Sequence, residues 1–287
     1  VRIQADTTGL SQTNNDHSIP LPFGEDEAVQ VFPVGIVGEM PRAVSVDAEG
    51  YIWIGFYGTG VFRKYEYVSG SLTMVDEYFA GIPLDNSTAP YDAKIDKNGI
   101  LWFSSRTNAN PTRPSAEAGV YFFDTASPST TLTKTSFTAG LNPYSLLIDN
   151  GDEIDDVVVW ATAYNNNLYK INSSGVLLQT IQITSISSEF RGMEFDTEGK
   201  IWIAGSLSNR VYSYNPVNGN ILFVQIPAGI TRPVGLGLDA AGMMWVVCRN
   251  DGKPAGFLFK FDPLDPSNTA KYLTVNVGYR PYVYDNF

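Results

Sequence analysis

The chain has 287 residues, 44% hydrophobic and 17% charged, which is room for one large all-β domain or two smaller ones, and no apolar run reaches the roughly 20 residues of a membrane helix. Its 30 acidic and 19 basic residues leave a net charge of −11, a surface that repels phosphate backbones and argues against nucleic acid as a partner. One cysteine excludes an internal disulfide framework, and with one histidine no Cys/His zinc cluster can be assembled.

The sequence opens at Val1 with no initiator methionine and no signal-peptide pattern, and reads as a processed or excised segment. Residues 1–26 form a polar leader that holds the one histidine, His17, in "SQTNNDHSIP". The run "EAVQVFPVG" (27–35) then has the character of a strand leading into a series of repeats. Abundant Asn, Thr, Ser, Gly and Tyr with little Lys point to an extracellular, cell-surface or periplasmic location.

The repeats begin at Pro41. In "PRAVSVDAEGYIWIGF", an extended run with β-branched residues reaches Asp47, turns through Gly50 and continues in a nearly unbroken apolar run around Trp53. The same grammar returns as "IDKNGILWFSS" (95–105), "FDTEGKIWIAG" (195–205) and "LDAAGMMWVVC" (238–248), and in stretched form as "IDNGDEIDDVVVWATA" (148–163). All five tryptophans, Trp53, Trp102, Trp160, Trp202 and Trp245, share this slot at spacings of 49, 58, 42 and 43. An entry residue stands 12 positions before four of them, at Pro41, Pro90, Phe190 and Pro233. Pro143 precedes Trp160 by 17, because "EIDDV" is inserted. Six residues after each entry comes Asp47, Asp96, Asp149, Asp196 or Asp239.

Each unit continues with a third run ("GVFRKYEY", "GVYFFDTA", "NLYKINSS", "RVYSYNPV", "GFLFKFDP") and a fourth ("SLTMVDEYFA", "TLTKTSFTAG", "VLLQTIQIT", "ILFVQIPAG", "AKYLTVNVG"). Four short strands in every 40–50 residues, with covered central strands, predict radially packed antiparallel blades in which the indole wedges between neighbours. The expected fold is an all-β, six-bladed β-propeller over residues 27–287, with blades starting near 41, 90, 143, 190, 233 and 280. The sixth unit, "RPYVYDNF", stops after one strand. It is expected either to be closed by pairing of the N- and C-terminal strands, the leader adding one through "VRIQAD", or to be left incomplete by truncation.

The pattern Pro…Asp-x-x-Gly-x-x-Trp, followed by a tyrosine-bearing strand and an Asn-Pro or Asp-Pro turn, resembles the streptogramin lyase (virginiamycin B lyase) type of β-propeller repeat. It is carried by "PRAVSVDAEGYIWIG", "FRGMEFDTEGKIWIAG…RVYSYNPVNG" and "RPVGLGLDAAGMMWVV…FLFKFDP". That resemblance implies a propeller, and in the lyases an elimination assisted by magnesium and a histidine base. No repeat here carries a histidine, so none of the family's catalytic residues maps onto this chain. The Glu, Asn and Asp metal pattern of lactonase-like propellers is not recognisable either.

In such a fold the loops into the first strand and out of the second share one face. After the entry residues stand Arg42, Tyr91, Tyr144, Arg191, Val234 and Tyr282; four residues after the tryptophans stand Tyr57, Arg106, Tyr164, Ser206 and Arg249. Only Val234 and Ser206 interrupt the run of Arg and Tyr. Arg supplies a forked donor and Tyr a rigid amphipathic surface, so this ring suits a protein or carbohydrate ligand bearing planar anionic groups. The competing reading is that these side chains plug the channel and pair with nearby acids.

The insertions 107–118 and 250–255 enlarge loops on the same face. On the opposite face, Asp149, Asp152, Asp155 and Asp156 offer oxygen ligands for Ca2+ or Mg2+, or simply a solvated acidic hairpin. Cys248 reads as a small buried residue with no histidine to activate it. The expected function is a non-catalytic binding or assembly module, for example in a surface layer, with further domains or copies of the same chain as expected partners. The alternative is a metal-dependent lyase-like or lactonase-like enzyme.

Overall fold

The turn of each repeat is held by one carboxylate used twice. In the computed structural model, which describes residues 2–6, 29–79, 88–106, 118–137, 142–152, 156–251 and 256–278, Asp47 Oδ1 accepts the Tyr51 N–H at 2.8 Å and Oδ2 accepts the Trp53 indole N–H at 2.8 Å. Asp96 repeats this with Ile100 and Trp102, Asp196 with Lys200 and Trp202, and Asp239 with Met243 and Trp245, the indole bonds all at 2.8–2.9 Å. The turn closes through a glycine at positive φ, such as Gly50 at 87° or Gly199 at 77°, a conformation that a side chain disfavours. A buried indole N–H is costly without an acceptor, so the aspartate fixes both the turn and the ring. Trp160 is the exception: the insertion puts Asp149 out of step, and Trp160 Nε1 is buried without a partner among the described residues.

The chain enters through β1 (Arg2–Asp6) and β2 (Val29–Pro33), a parallel pair forming a sheet of its own. The first blade is β3 (Pro41–Val46), β4 (Ile52–Phe56), β5 (Phe62–Val68) and β6 (Ser71–Tyr78). The second is β7 (Pro90–Ile95), β8 (Ile100–Ser105), β9 (Gly119–Asp124) and the two-residue β10 (Thr133–Lys134). A single helical turn, α1 (Pro128–Thr131), lies between β9 and β10. The third blade is β11 (Pro143–Asp149), β12 (Val158–Ala163), β13 (Asn167–Asn172) and β14 (Leu177–Gln182). The fourth is β15 (Phe190–Phe195), β16 (Ile201–Gly205), β17 (Arg210–Tyr214) and β18 (Ile221–Gln225). The fifth is β19 (Pro233–Leu238), β20 (Met244–Cys248), β21 (Gly256–Phe261) and β22 (Leu273–Gly278). Each blade is an antiparallel meander in chain order. No helix among the described residues is long and apolar enough to cross a membrane.

The innermost strands pack in the sequence β3, β7, β11, β15, β19, which arranges the blades around an axis. Burial falls from inside to outside: every residue of β4 and β16 is buried, whereas β6 and β18 are mostly exposed. Between the fourth and fifth blades the approach is backbone to backbone, since a Cβ on Gly192 would lie 2.9 Å from Gly235 Cα. Hydroxyls bridge other blades. Ser104 Oγ accepts the Asp92 N–H and donates to the Tyr144 carbonyl, and Thr162 Oγ1 does the same between Ser145 and Arg191.

The structure is a five-bladed propeller, which corrects the expected six. Its five four-stranded sheets account for β3 to β22, and β2 pairs with β1. The segment after β2 covers the first blade instead of opening another. Val34 is buried with Ile52, Ile54, Phe56 and Tyr65, and its carbonyl accepts the Tyr65 hydroxyl at 3.3 Å. Residues 280–287, with Tyr282, lie outside the described residues.

The tryptophans explain the blade order. Trp53 packs on Phe123 of the second blade, Trp102 on Ile171 of the third, Trp160 on Tyr214 of the fourth and Trp202 on Phe261 of the fifth. The receiving residue always follows the one paired with that blade's own tryptophan, which makes Tyr65 the fifth receiver. Tyr65 is instead covered by Val34, and Trp245, with Gly237, Leu238, Asp239 and Leu258, lines a cleft of about 350 Å³. Four tryptophans are at most 2% exposed, whereas Trp245 is only half-buried.

Trp202→Ala is therefore expected to cost about 3–5 kcal/mol and Trp245→Ala less than half of that, measured by urea unfolding. Equal losses would contradict the wedge assignment. The Trp245 indole and backbone N–H groups hold the Asp239 carboxyl at about 2, below its ordinary value. Its folded-state value is depressed, so its stabilisation is complete above about pH 4 and fades as pH falls toward about 2. Thermal melts should show Asp239→Asn costing most near neutral pH and least in strong acid.

Candidate functional site

One repeated hydrogen bond joins the two sequence slots. The residue following each second strand donates its N–H to the carbonyl just before the blade's entry residue. The pairs are Tyr57 to Met40 at 2.9 Å, Arg106 to Ala89 at 3.2 Å and Tyr164 to Asn142 at 3.3 Å, then Ser206 to Glu189 at 3.3 Å and Arg249 to Arg232 at 3.0 Å. Each inner strand also shifts register immediately after its entry residue, between Pro41 and Ala43, Pro90 and Asp92, Pro143 and Leu146, Phe190 and Met193, and Pro233 and Gly235. A bulge re-aims the side chain it carries. The bulges contain Arg42, Tyr91, Tyr144, Arg191 and Val234, so sequence and backbone irregularity coincide at the channel mouth.

From the first blade to the fourth these side chains form a stack of cations and rings. The Arg42 guanidinium lies 4.4 Å from the centre of the Tyr57 ring and 4.9 Å from that of Tyr91. Arg106 lies 4.4 Å from Tyr91, 5.1 Å from Tyr144 and 4.0 Å from Tyr164. Arg191 lies 5.3 Å from Tyr144 and 5.1 Å from Tyr164. The rings touch one another too, Tyr57 with Tyr91, Tyr91 with Tyr144, and Tyr144 with Tyr164. Tyr57, Tyr91 and Tyr144 are buried, while Tyr164 is 38% exposed. Desolvated cation–π contacts of this kind contribute about 1–2 kcal/mol each.

Arg191 links this stack to an ionic chain. Glu189 lies 3.2 Å from Arg191 and 3.7 Å from Arg232, and Asp251 lies 3.8 Å from Arg232 and 2.9 Å from Arg249. The band thus holds Arg42, Arg106, Arg191, Arg232 and Arg249 against Glu189 and Asp251, a positive zone on a negatively charged chain. Glu189, Arg232 and Asn250 have φ of 51°, 62° and 54°, a left-handed conformation that costs a non-glycine residue about 1 kcal/mol or more. Arg106 Nε and Ser206 Oγ are buried with no hydrogen-bond partner among the described residues.

The structure brings together Arg42, Tyr57, Tyr91, Arg106, Tyr144, Tyr164, Arg191 and Arg249, and Tyr282 lies outside the described residues. Arg191 and Arg249 pair with acids, whereas Arg42 and Arg106 lie on tyrosine rings. Glu189, Arg232 and Asp251 were not singled out from sequence. The aligned position just before each entry residue marks the first two, and the 250–255 insertion contains the third. Residues 107–117 and 252–255 of the two insertions lie outside the described residues.

On the opposite face Asp149, Asp152 and Asp156 are exposed and Asp155 lies outside the described residues. Asp149 Oδ1 accepts the Gly151 N–H at 3.1 Å, and Lys97 anchors the hairpin through Asn150 and Gly151. No group of three or more potential metal ligands occurs among the described residues. Cys248 sits in the core of the fifth blade, where burial pushes its thiol pKa up.

No protein-family model matches the chain. It is 30% identical to regucalcin of Homo sapiens over 123 residues, 36% of this chain and 41% of regucalcin, so the match spans less than half of that relative. Virginiamycin B lyase from Staphylococcus aureus has the same fold at TM-score 0.53 and 14% identity, over 85% of this chain and 86% of the lyase. A streptogramin B lyase structure gives 0.58 and 14%, over 87% and 88%. The chain is a β-propeller that shares its fold with the streptogramin lyases and has local sequence likeness to regucalcin.

Glu189→Gln removes the charge between Arg191 and Arg232. It should lower the unfolding free energy by about 1 kcal/mol at low ionic strength and by less in about 0.5 M salt. A loss that salt leaves unchanged would rule out the ionic chain as its cause.

Proposed function

We propose that this propeller is a binding module whose ligand rests on the Arg–Tyr band at the channel mouth. The observation that carries this reading is the stack itself: guanidinium faces lie against tyrosine rings, which fixes where the cations stand at the mouth. Ring contacts also restrict the arginine side chains, which lowers the entropy lost on binding. The ligand is a protein or glycan presenting anionic groups, met in an extracellular or cell-surface setting. The strained Glu189, Arg232 and Asn250 beside the stack fit a recognition site, where unfavourable backbone geometry tends to concentrate.

A second reading is favoured by the likeness to regucalcin and to streptogramin lyases: a lyase-like or lactonase-like enzyme using a divalent metal at the mouth. Its ligands would come from Glu189, Asp251 and neighbouring amides such as Asn250.

Partner capture with the wild-type chain and with Arg42→Ala combined with Arg191→Ala tests the first reading. Loss of the partner in the double variant, with unfolding still cooperative, is the expected result, and unchanged capture would reject the band as the binding face. Titration with magnesium or calcium during thermal unfolding separates the readings. Strong stabilisation mapped to Glu189 and Asp251 would favour the enzyme, and indifference to chelator the binder.

A further inference from the structure

The band is uneven, and its unevenness marks one position. Arg191 and Arg249 each have a carboxylate within 3.2 Å. Arg106 has none within 4.0 Å among the described residues, and its surroundings are the rings of Tyr91, Tyr144 and Tyr164. Its Nε is buried with no acceptor among the described residues, and a buried guanidinium N–H is costly to leave unmatched. The group that would complete it is therefore an acceptor carrying negative charge, held in the plane of the guanidinium. One carboxylate of a sugar acid satisfies that requirement.

The neighbourhood supplies the rest of a sugar site. Tyr164, in contact with Arg106, is the exposed ring of the stack. It is followed by Asn165, Asn166 and Asn167, all half-buried, and amides donate and accept in the way that sugar hydroxyls require. Within this run Asn165 Nδ2 donates to the Tyr169 hydroxyl and Asn166 Oδ1 accepts the Ser188 N–H, so the amides are held in place. On the fourth blade the slot that elsewhere holds Tyr or Arg shrinks to Ser206, whose buried Oγ also has no partner among the described residues.

We propose that Arg106 is the carboxylate subsite of an acidic-sugar binding site, with Tyr164 and the amides of Asn165, Asn166 and Asn167 receiving the sugar body. This rests on the reading of the mouth as a binding face and assigns its ligand class.

The test is calorimetric titration of the whole chain with tetragalacturonate, with neutral cellotetraose and tetraglutamate as comparison probes. Wild type should bind tetragalacturonate and not cellotetraose. Arg106→Met should weaken binding about tenfold or more, in line with loss of a charge-assisted hydrogen-bond pair, and Arg106→Lys should retain part of it. Circular dichroism melts establish that both variants fold, and Arg106→Lys serves if Arg106→Met does not. Tetragalacturonate binding that Arg106→Met leaves intact while Arg42→Ala with Arg191→Ala removes it would overturn the subsite and leave the mouth as the binding face. Tetraglutamate binding equally well, with the same dependence on Arg106, would overturn the sugar assignment in favour of an acidic peptide. Absence of binding by every carboxylate probe to folded wild type would overturn the proposal.

Discussion

The architecture depends on a hydrogen bond found in four of the five repeats, from an indole N–H to the aspartate six residues earlier. Burying a tryptophan between two sheets is costly unless its N–H finds an acceptor. Aspartate at the head of a tight turn brings one within reach while its other oxygen caps the turn. Turn, strand pairing and inter-blade packing are thus tied to a single side chain. A ring that stands in the same place in every blade meets the same receiving position in the next, and that fixes the order of the blades around the axis.

A scaffold held this way leaves its loops free to vary. At the mouth the backbone repeats faithfully, with the same N–H to carbonyl bond and the same bulge in every blade, but the side chains it carries differ. On the first three blades they are arginines lying on tyrosines. On the fourth and fifth they become an alternation of arginine and carboxylate, built partly on left-handed backbone. The division is chemical rather than architectural: one half holds its cations by ring faces, the other by opposite charge.

Much of this was legible in the sequence because the spacing of Pro, Asp, Gly and Trp reports covalent distances along a repeated path. The two mouth slots followed from the same arithmetic. The aspartate was read as a turn residue, and its second role as indole acceptor needed coordinates. The number of blades was misjudged because an entry motif at residue 280 and a strand at residues 27–35 were counted as halves of one sheet, whereas pairing partners are set in space. β2 found β1, and the segment after it found the face of the first blade. The ionic half was missed for a similar reason: Glu189 and Arg232 precede the repeat's first recognisable residue, and Asp251 belongs to an insertion with no counterpart in other blades. Trp160 shows the limit of the rule, since it keeps its slot and its burial after losing its aspartate.

The unmatched ends of the tryptophan series have a mechanical meaning. Among the described residues four blade-to-blade contacts are filled by a ring seated in a neighbour, while Trp245 lies against a cleft and Tyr65 answers to a different segment. The packing that sets one blade against the next is therefore unequally distributed around the axis, and the fifth blade, whose residues contribute Arg249 and Asp251, receives a ring from the fourth but turns its own toward a cleft.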